Sequence, residues 1–131
     1  MPTIEYFYSA HSAFAYLGHQ HLLKICKSAN AKLVHRPMEL GPVVDAAHPN
    51  GFGARSKNHV TYYFGREIER WAEYRDVQFR GGIPTNHRNG TVLANSLLIA
   101  AAQQPHGADD LAQAIMRSHW QEHADLSVAA H

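Results

Sequence analysis

The sequence predicts an α/β fold class, with a β-α-β unit at the start of a single domain and a mainly helical remainder over residues 41–131. Residues 3–8 are rich in β-branched and aromatic side chains, which favour a buried strand. Residues 13–28 repeat apolar side chains at the spacing of one helix face. Residues 32–38 form a second β-rich run. Because strands joined by one helix pair in parallel through a right-handed crossover, residues 1–40 are predicted to form such a unit.

The first predicted strand meets the first predicted helix in the short turn Ser9-Ala10-His11-Ser12. Ser12 occupies the position of a helix N-cap, where serine is favoured. This kind of junction directs unpaired backbone N–H groups and the positive end of the helix dipole at one spot, which suits a thiolate or a carboxylate. Two interpretations of Ser12 follow: it only caps its helix, or its hydroxyl also donates to a bound anion. A catalytic role for His11, its neighbour, is open.

The remainder of the chain predicts a loop and then three helices. Residues 41–58 contain the turn-forming run P-N-G-F-G and are predicted as a loop. Residues 60–75 and 92–103 repeat apolar side chains at helical spacing, and Asp109 and Asp110 begin a further helix. Among the apolar side chains that carry these patterns are Tyr63, Phe64, Ile68, Trp71, Ala72, Leu111, Ile115 and Trp120.

The segment around Pro84 has two interpretations. In the first, G-I-P-T and the following N-G form a cis-proline loop and a hairpin turn that complete the sheet. In the second, Pro84 lies in a loop that leads into the helix over residues 92–103.

Composition excludes several classes of function. The formal net charge is +1 with scattered Lys and Arg, which argues against a nucleic-acid partner. No apolar run is long enough to span a membrane, and residues 1–6 lack the features of a secretory leader, so we expect a cytoplasmic protein. The single cysteine, Cys26, rules out an intrachain disulfide or a C-x-x-C site, and its place in the first helical pattern predicts a buried structural thiol.

The chain has eleven histidines, which suggests a distant alternative function as a zinc-binding protein. His119 to His123 match the zinc-binding spacing H-x-x-E-H. Such a site needs a third protein ligand, commonly well downstream, and only eight residues follow His123. We therefore predict no metal site. His19 and His21 fall on different helix faces and are predicted to be solvated.

The run F-Y-S-A-H-S-A-F-A-Y-L-G resembles the first strand–helix junction of a thioredoxin-like group. This group holds bacterial disulfide oxidoreductases, kappa-class glutathione transferases and 2-hydroxychromene-2-carboxylate isomerases. Ser12 matches the nucleophilic cysteine of the oxidoreductases and the serine of the transferases and isomerases. The tracts H-R-P-M-E-L-G and R-S-H-W-Q-E-H-A-D-L also resemble this family. Its pattern A-x-x-x-x-I-A-A matches residues 94–101, which favours the second interpretation of Pro84. Ala13 departs from the family's proline.

The resemblance implies a thioredoxin-like fold with a helical insertion and a glutathione-dependent isomerase of the 2-hydroxychromene-2-carboxylate type, which acts on a small aromatic substrate. Ser12 would then hydrogen-bond the glutathione sulfur. The loop residues Asn50, Arg55 and Lys57 would hold glutathione or the substrate carboxylate. The alternatives are a kappa-like glutathione transferase that uses the same serine, or a non-catalytic remnant.

Relatives continue beyond the matched tracts with a helix, a strand opened by a cis-proline, and a final hairpin and helix. We therefore expect this chain to be truncated relative to the family. Two parallel strands form a poor sheet alone and leave exposed edges. The sequence thus predicts a homodimer that completes its sheet with a partner chain, or poor behaviour in solution.

Overall fold

A computed structural model describes residues 1–129 and shows the expected β-α-β unit. Strand β1 (Thr3–Tyr8) and strand β2 (Lys32–Pro37) pair in parallel, with Tyr6 beside His35. Helix α1 (Ala13–Ser28) connects them. These bounds confirm the predicted unit, except that β2 ends one residue before Met38.

Six helices and two shorter helical turns make up most of the chain described over residues 1–129. After α1 come α2 (Leu40–Ala47), α3 (Lys57–Thr61), α4 (Glu67–Arg75), α5 (Val92–Ala101) and α6 (Asp109–Glu122). A 3₁₀ turn over Gly51–Ala54 follows α2, and a π-helical turn over Tyr62–Arg66 joins α3 to α4. The α/β, mostly helical fold class is therefore confirmed.

The prediction of a loop over residues 41–58 was wrong in its first and last parts. Helix α2 forms because Pro42 lies in its first turn, where no intrahelical N–H is required. Helix α3 begins at Lys57 because the Oγ atom of Ser56 accepts a hydrogen bond from the N–H of His59 at 3.1 Å. Turn chemistry governs only the stretch between these two helices.

The segment around Pro84 follows the second interpretation. Residues 77–91 contain no strand, and Pro84 lies in the turn-rich stretch that leads into α5. The alternative, in which this segment completes the sheet, was wrong. The alanine- and leucine-rich residues after Pro84 form their backbone hydrogen bonds within α5 and not with a neighbouring strand.

The core lies where α1 packs against α4, α6 and the strands. Buried side chains of this core include Tyr8, Tyr16, Leu17, Ile68, Leu98, Met116 and Trp120. Helix α5 packs on β2 and α6. Cys26 is buried, as predicted. Because α1 is held on several sides, its N-terminus has a defined position at the end of β1.

The prediction that His19 is solvated was wrong. Its side chain is fully buried, and its Nε2 atom donates to the backbone carbonyl of Asp109 at 2.8 Å. Its ring also stacks on Tyr6, with 5.8 Å between centroids. Burial lowers the pKa of His19. A histidine on the buried face of α1 is tolerated because the first residue of α6 supplies an acceptor.

The outer surface carries several exposed apolar side chains. Phe7 on β1 is 59% exposed, and the two-stranded sheet has a free edge on each side within residues 1–129. Helix α5 exposes Val92, Leu93, Leu97 and Ile99. None of the helices in the described part of the chain is long and apolar enough to cross a membrane.

Candidate functional site

Ser12 lies at the N-terminus of α1 and caps it. Its backbone is extended, with φ of −70° and ψ of 122°. Its Oγ atom accepts a hydrogen bond from the N–H of Ala15 at 3.2 Å. The N–H of Tyr16 bonds the carbonyl of Ser12 at 3.0 Å and so begins the intrahelical ladder. Ser12 is therefore an N-cap, as its place before the helical pattern predicted.

Capping leaves the hydrogen of the Ser12 hydroxyl free to donate. A serine oxygen has two lone pairs and one O–H donor, and the cap uses only one lone pair. The backbone N–H groups of Ala13 and Phe14 precede the first intrahelical bond and have no acceptor within the helix. Three donors and the positive end of the dipole thus lie within one helical turn, which suits an anion. The two interpretations of Ser12 are compatible.

Three histidines pack beside this turn, and we call them the histidine cluster: His11, His87 and His119. The ring of His11 stacks on His87 with 4.5 Å between centroids, and the ring of His87 lies 5.1 Å from that of His119. His11 Nδ1 lies 2.8 Å from the Ser9 hydroxyl. His119 Nδ1 donates to the carbonyl of Ala124 at 2.9 Å. The cluster joins the β1–α1 turn to the loop before α5 and to α6.

Burial favours the neutral form of the histidine cluster. It lowers the pKa of His11, and His119 lowers this pKa further while Glu39 opposes the shift. Burial lowers the pKa of His87 to about 4, with further lowering from the neighbouring imidazoles and from Arg88. The pKa of His119 is also lowered, again chiefly by burial. At neutral pH these rings are therefore uncharged, and His11 retains a lone pair for a proton.

A buried polar network lies behind the same turn. The Oδ1 atom of Asn95 accepts from the backbone N–H of Ala10 at 3.2 Å, and its Nδ2 atom donates to Glu39 Oε1 at 2.9 Å. The hydroxyl of Thr91 donates to the Glu39 carboxylate at 2.9 Å. Thr91 and Asn95 belong to the start of α5, so the Glu39 carboxylate is held at the N-terminal end of that helix.

Of the three loop residues chosen from the sequence, Arg55 is the one linked to α1. Its guanidinium carbon lies 4.9 Å from the ring centroid of Phe52 and 5.7 Å from that of Tyr63. Tyr63 in turn packs on Phe14, in the first turn of α1, with 4.8 Å between ring centroids. Within residues 1–129 the Nη1 atom of Arg55 is buried without a hydrogen-bond partner.

Asn50 and Lys57 are exposed on the same segment. Asn50 directly precedes the 3₁₀ turn, and its backbone N–H donates to His48 Nδ1 at 3.3 Å. Lys57 is the first residue of α3. Neither side chain makes a hydrogen bond or ion pair within the described chain. A binding role for both stays a prediction.

The zinc alternative gains no support. Both ring nitrogens of His119 are engaged, one by His87 and the other by Ala124. His123 lies beyond the end of α6 in left-handed backbone, with φ of 56°. No group of three metal-ligating side chains over residues 1–129 has the geometry to hold an ion.

Sequence reasoning missed His87, His119, Glu39 and Asn95 as parts of this site. The sequence carries a signal for Asn95, because it is a polar amide within the apolar run V-L-A-N-S-L-L-I-A-A. The structure shows that this amide is buried. For the histidines, the high count in the chain is the only sign in the sequence that some of them are functional. Their meeting depends on contacts between distant parts of the chain.

The fold and the junction together define a thioredoxin-like α/β protein whose first turn presents a serine. The sequence model of the DSBA-like thioredoxin domain family matches residues 3–130, and the chain belongs to this family. A solved structure of selenomethionine 2-hydroxychromene-2-carboxylate isomerase (HCCA isomerase) superposes with a TM-score of 0.74 at 17% sequence identity. These findings confirm the resemblance drawn from the sequence.

The superposition covers 96% of this chain and 60% of the isomerase chain. The described chain therefore spans three fifths of that protein's length. No curated protein sequence matches the chain significantly.

Proposed function

We propose that the chain serves a glutathione-dependent isomerisation of the 2-hydroxychromene-2-carboxylate type, with Ser12 as the residue that contacts the glutathione sulfur. The observation that carries the proposal is the free O–H of Ser12 at the N-terminus of α1, in a fold shared with HCCA isomerase. Bound there, glutathione would supply a thiol whose anion can add reversibly to an aromatic-ring catabolite, and Ser12 would hold that sulfur.

The residues around Ser12 fit this group. A free thiol has a pKa of about 8.5, so a site that uses its anion at neutral pH needs donors and positive potential. The Ser12 hydroxyl donates to the sulfur, and the unpaired N–H groups of Ala13 and Phe14 add to the positive potential. Ser12 itself is not acylated, because its task is to stabilise a charge.

Arg55 supports the remainder of the binding site. Its guanidinium supplies a positive charge that suits a carboxylate, and its Nη1 atom has no hydrogen-bond partner within the described chain. Glutathione and the proposed substrate both carry carboxylates. Phe52 and Tyr63, whose rings contact the guanidinium, are 43% and 38% exposed and so leave apolar surface for an aromatic substrate. Asn50 and Lys57 complete the proposed set from the same segment.

The assembly and location belong to the same proposal. We propose a homodimer, because the free sheet edges and the exposed side chains of α5 remain uncovered in the described chain. We also propose a cytoplasmic location, where reduced glutathione is abundant, and a small aromatic substrate rather than nucleic acid or membrane.

Calorimetric titration with glutathione tests the proposal. The unchanged chain is expected to bind, and Ser12→Ala is expected to weaken binding roughly tenfold, as for a lost hydrogen bond to a charged group. Ser12→Thr, which keeps both the hydroxyl and the cap, is the matched control and retains binding.

An isomerisation assay then follows binding, with a conjugation assay beside it. Isomer formation that is lost in Ser12→Ala supports the proposal, whereas conjugation alone indicates a kappa-like transferase. Absence of glutathione binding at millimolar concentration contradicts both and leaves the non-catalytic remnant.

A further inference from the structure

We propose that Asn95 is a positioning residue that holds the turn of residues 9–12 in the conformation the candidate site needs. The inference rests on the function proposed above, because it concerns the placement of Ser12. Asn95 lies in the first turn of α5, 85 residues from Ala10 in sequence. Its side chain is 5% exposed, so solvent does not compete for its hydrogen bonds.

The turn depends on an acceptor from outside itself. Ala10 is fully buried and Ser9 is 2% exposed. The N–H of Ser12 bonds the carbonyl of Ser9 at 3.0 Å and closes the turn from within. The N–H of Ala10 points elsewhere and is satisfied by Asn95 Oδ1 at 3.2 Å. A buried N–H that loses its acceptor is costly, so the turn would shift to find another.

Glu39 determines which way the Asn95 amide faces. A carboxylate only accepts hydrogen bonds, so the NH₂ group of Asn95 is the end that faces it. That orientation directs Oδ1 at Ala10. Thr91 donates to the same carboxylate and accepts from Asn95 Nδ2 at 3.2 Å, which anchors both partners. The start of α5 and the start of α2 therefore support the β1–α1 turn together.

The consequence for the site is electrostatic. The Ser12 hydroxyl and the N–H groups of Ala13 and Phe14 act on one ligand atom only when the turn has its observed shape. Loss of the Asn95 bond would misalign these donors while leaving the remainder of α1 held by its own core contacts. The expected defect is a weaker stabilisation of an anion at the N-terminus of α1.

The ionisation constant of a thiol introduced at position 12 measures this loss of anion stabilisation directly and without glutathione. In a Cys26→Ala background, Ser12→Cys places the chain's single thiol at the helix N-terminus, and its ionisation is followed by thiolate absorbance against pH. Asn95→Leu in this background is expected to lower the thiol ionisation constant roughly three- to tenfold, the range of a helix-terminus effect.

Two further variants make the comparison specific. Thr91→Val loosens Glu39 without removing the acceptor for Ala10, so a smaller shift in the same direction is expected. Asn86→Leu is the matched control, because it removes a partly buried hydrogen bond of 2.8 Å that the side-chain amide of Asn86 donates to the His123 carbonyl. It is expected to leave the thiol ionisation constant within about twofold, since the group lies outside the turn.

The outcomes separate the inference from the proposed function. A folded Asn95→Leu chain whose thiol titrates like that of Asn86→Leu overturns the inference. If Asn95→Leu does not fold, Thr91→Val decides, and an unchanged thiol ionisation constant overturns it. A shifted constant in a chain whose parent, with Ser12 intact, binds no glutathione upholds the positioning role and rejects the glutathione function.

Discussion

The Nδ1 atom of His87 lies 2.9 Å from the Nε2 atom of His119, and this pair links the loop before α5 to α6. Because His119 donates from Nδ1 to a backbone carbonyl, its Nε2 atom carries a lone pair in the neutral form, and His87 is then the donor. One proton lies between the two rings. This hydrogen bond, which links the loop before α5 to α6, therefore requires His119 to be neutral.

Stability is expected to fall as the pH falls through the range of histidine. Burial lowers the folded-state pKa values of His11, His87 and His119, that of His87 to about 4. The unfolded chain, with histidine near 6.5, therefore binds more protons in this range. The stabilisation is fully present above about pH 6.5 and is lost progressively toward about pH 4. Urea unfolding midpoints measured across this range check the slope.

A histidine outside the cluster provides the control for this experiment. His87→Asn is expected to flatten the dependence of the unfolding midpoint on pH, because it removes the most strongly shifted ring. His21→Asn changes an exposed histidine and is expected to leave the dependence unchanged. Equal slopes for the two variants would contradict the assignment.

Removal of the α1 cap is expected to destabilise the protein by about 1 kcal/mol. Ser12→Ala deletes the oxygen that accepts from the N–H of Ala15, whereas Ser12→Thr keeps it and is expected to retain most of the stability. Ser28→Ala serves as a second control, since that hydroxyl is exposed at the other end of α1. Chemical denaturation of the three variants gives the comparison. Equal losses for Ser12→Ala and Ser12→Thr would indicate that the cap is not the cause.

Truncation of Met116 is expected to cost about 3 kcal/mol. The residue is fully buried at the contact of α6 with the core, so Met116→Ala leaves a cavity as well as losing apolar contact. Ile25→Ala is the matched change at a site that is 45% exposed, and a much smaller loss is expected. Denaturant midpoints with an unchanged slope measure both. Similar losses at the two sites would show that α6 does not seal the core.

Association of two chains is expected to depend on the exposed apolar side of α5. Leu97→Glu places a charge among Val92, Leu93 and Ile99 and should shift the particle mass toward the monomer. Light scattering over a range of protein concentration measures this. Gln103→Glu adds the same charge near the end of the helix and is the control. A stable monomer for the unchanged chain would remove the homodimer from the proposal.

The sequence anticipated the parts of the fold that depend on local patterns. Strand β1, α1 and β2 follow one another with clear periodicity, and Ser12 carries a cap signal that needs only the next three residues. Helix α2 is not evident from the sequence, because Pro42 and the turn residues after it also indicate a loop, although proline is acceptable in a first helical turn.

The contacts that were not anticipated join distant residues. Asn95 meets Ala10 across 85 positions, and His87 meets His119 across 32. The burial of His19 is not evident from the sequence, because its acceptor, the Asp109 carbonyl, comes from α6. Periodicity indicates which face of a helix is apolar. It does not indicate which polar group on another element will form a hydrogen bond with a buried histidine or asparagine.

The burial of Cys26 makes the folded chain inert toward thiol reagents. Its side chain is 5% exposed within α1 and is the chain's single cysteine. Any modification by a thiol reagent therefore requires local opening around the last turn of α1, so the labelling rate measures the opening of that end of the helix. A ligand that binds at the N-terminus of α1 would slow this labelling only where the opening extends along the whole helix, so its effect on the rate measures how cooperatively the two ends of α1 open.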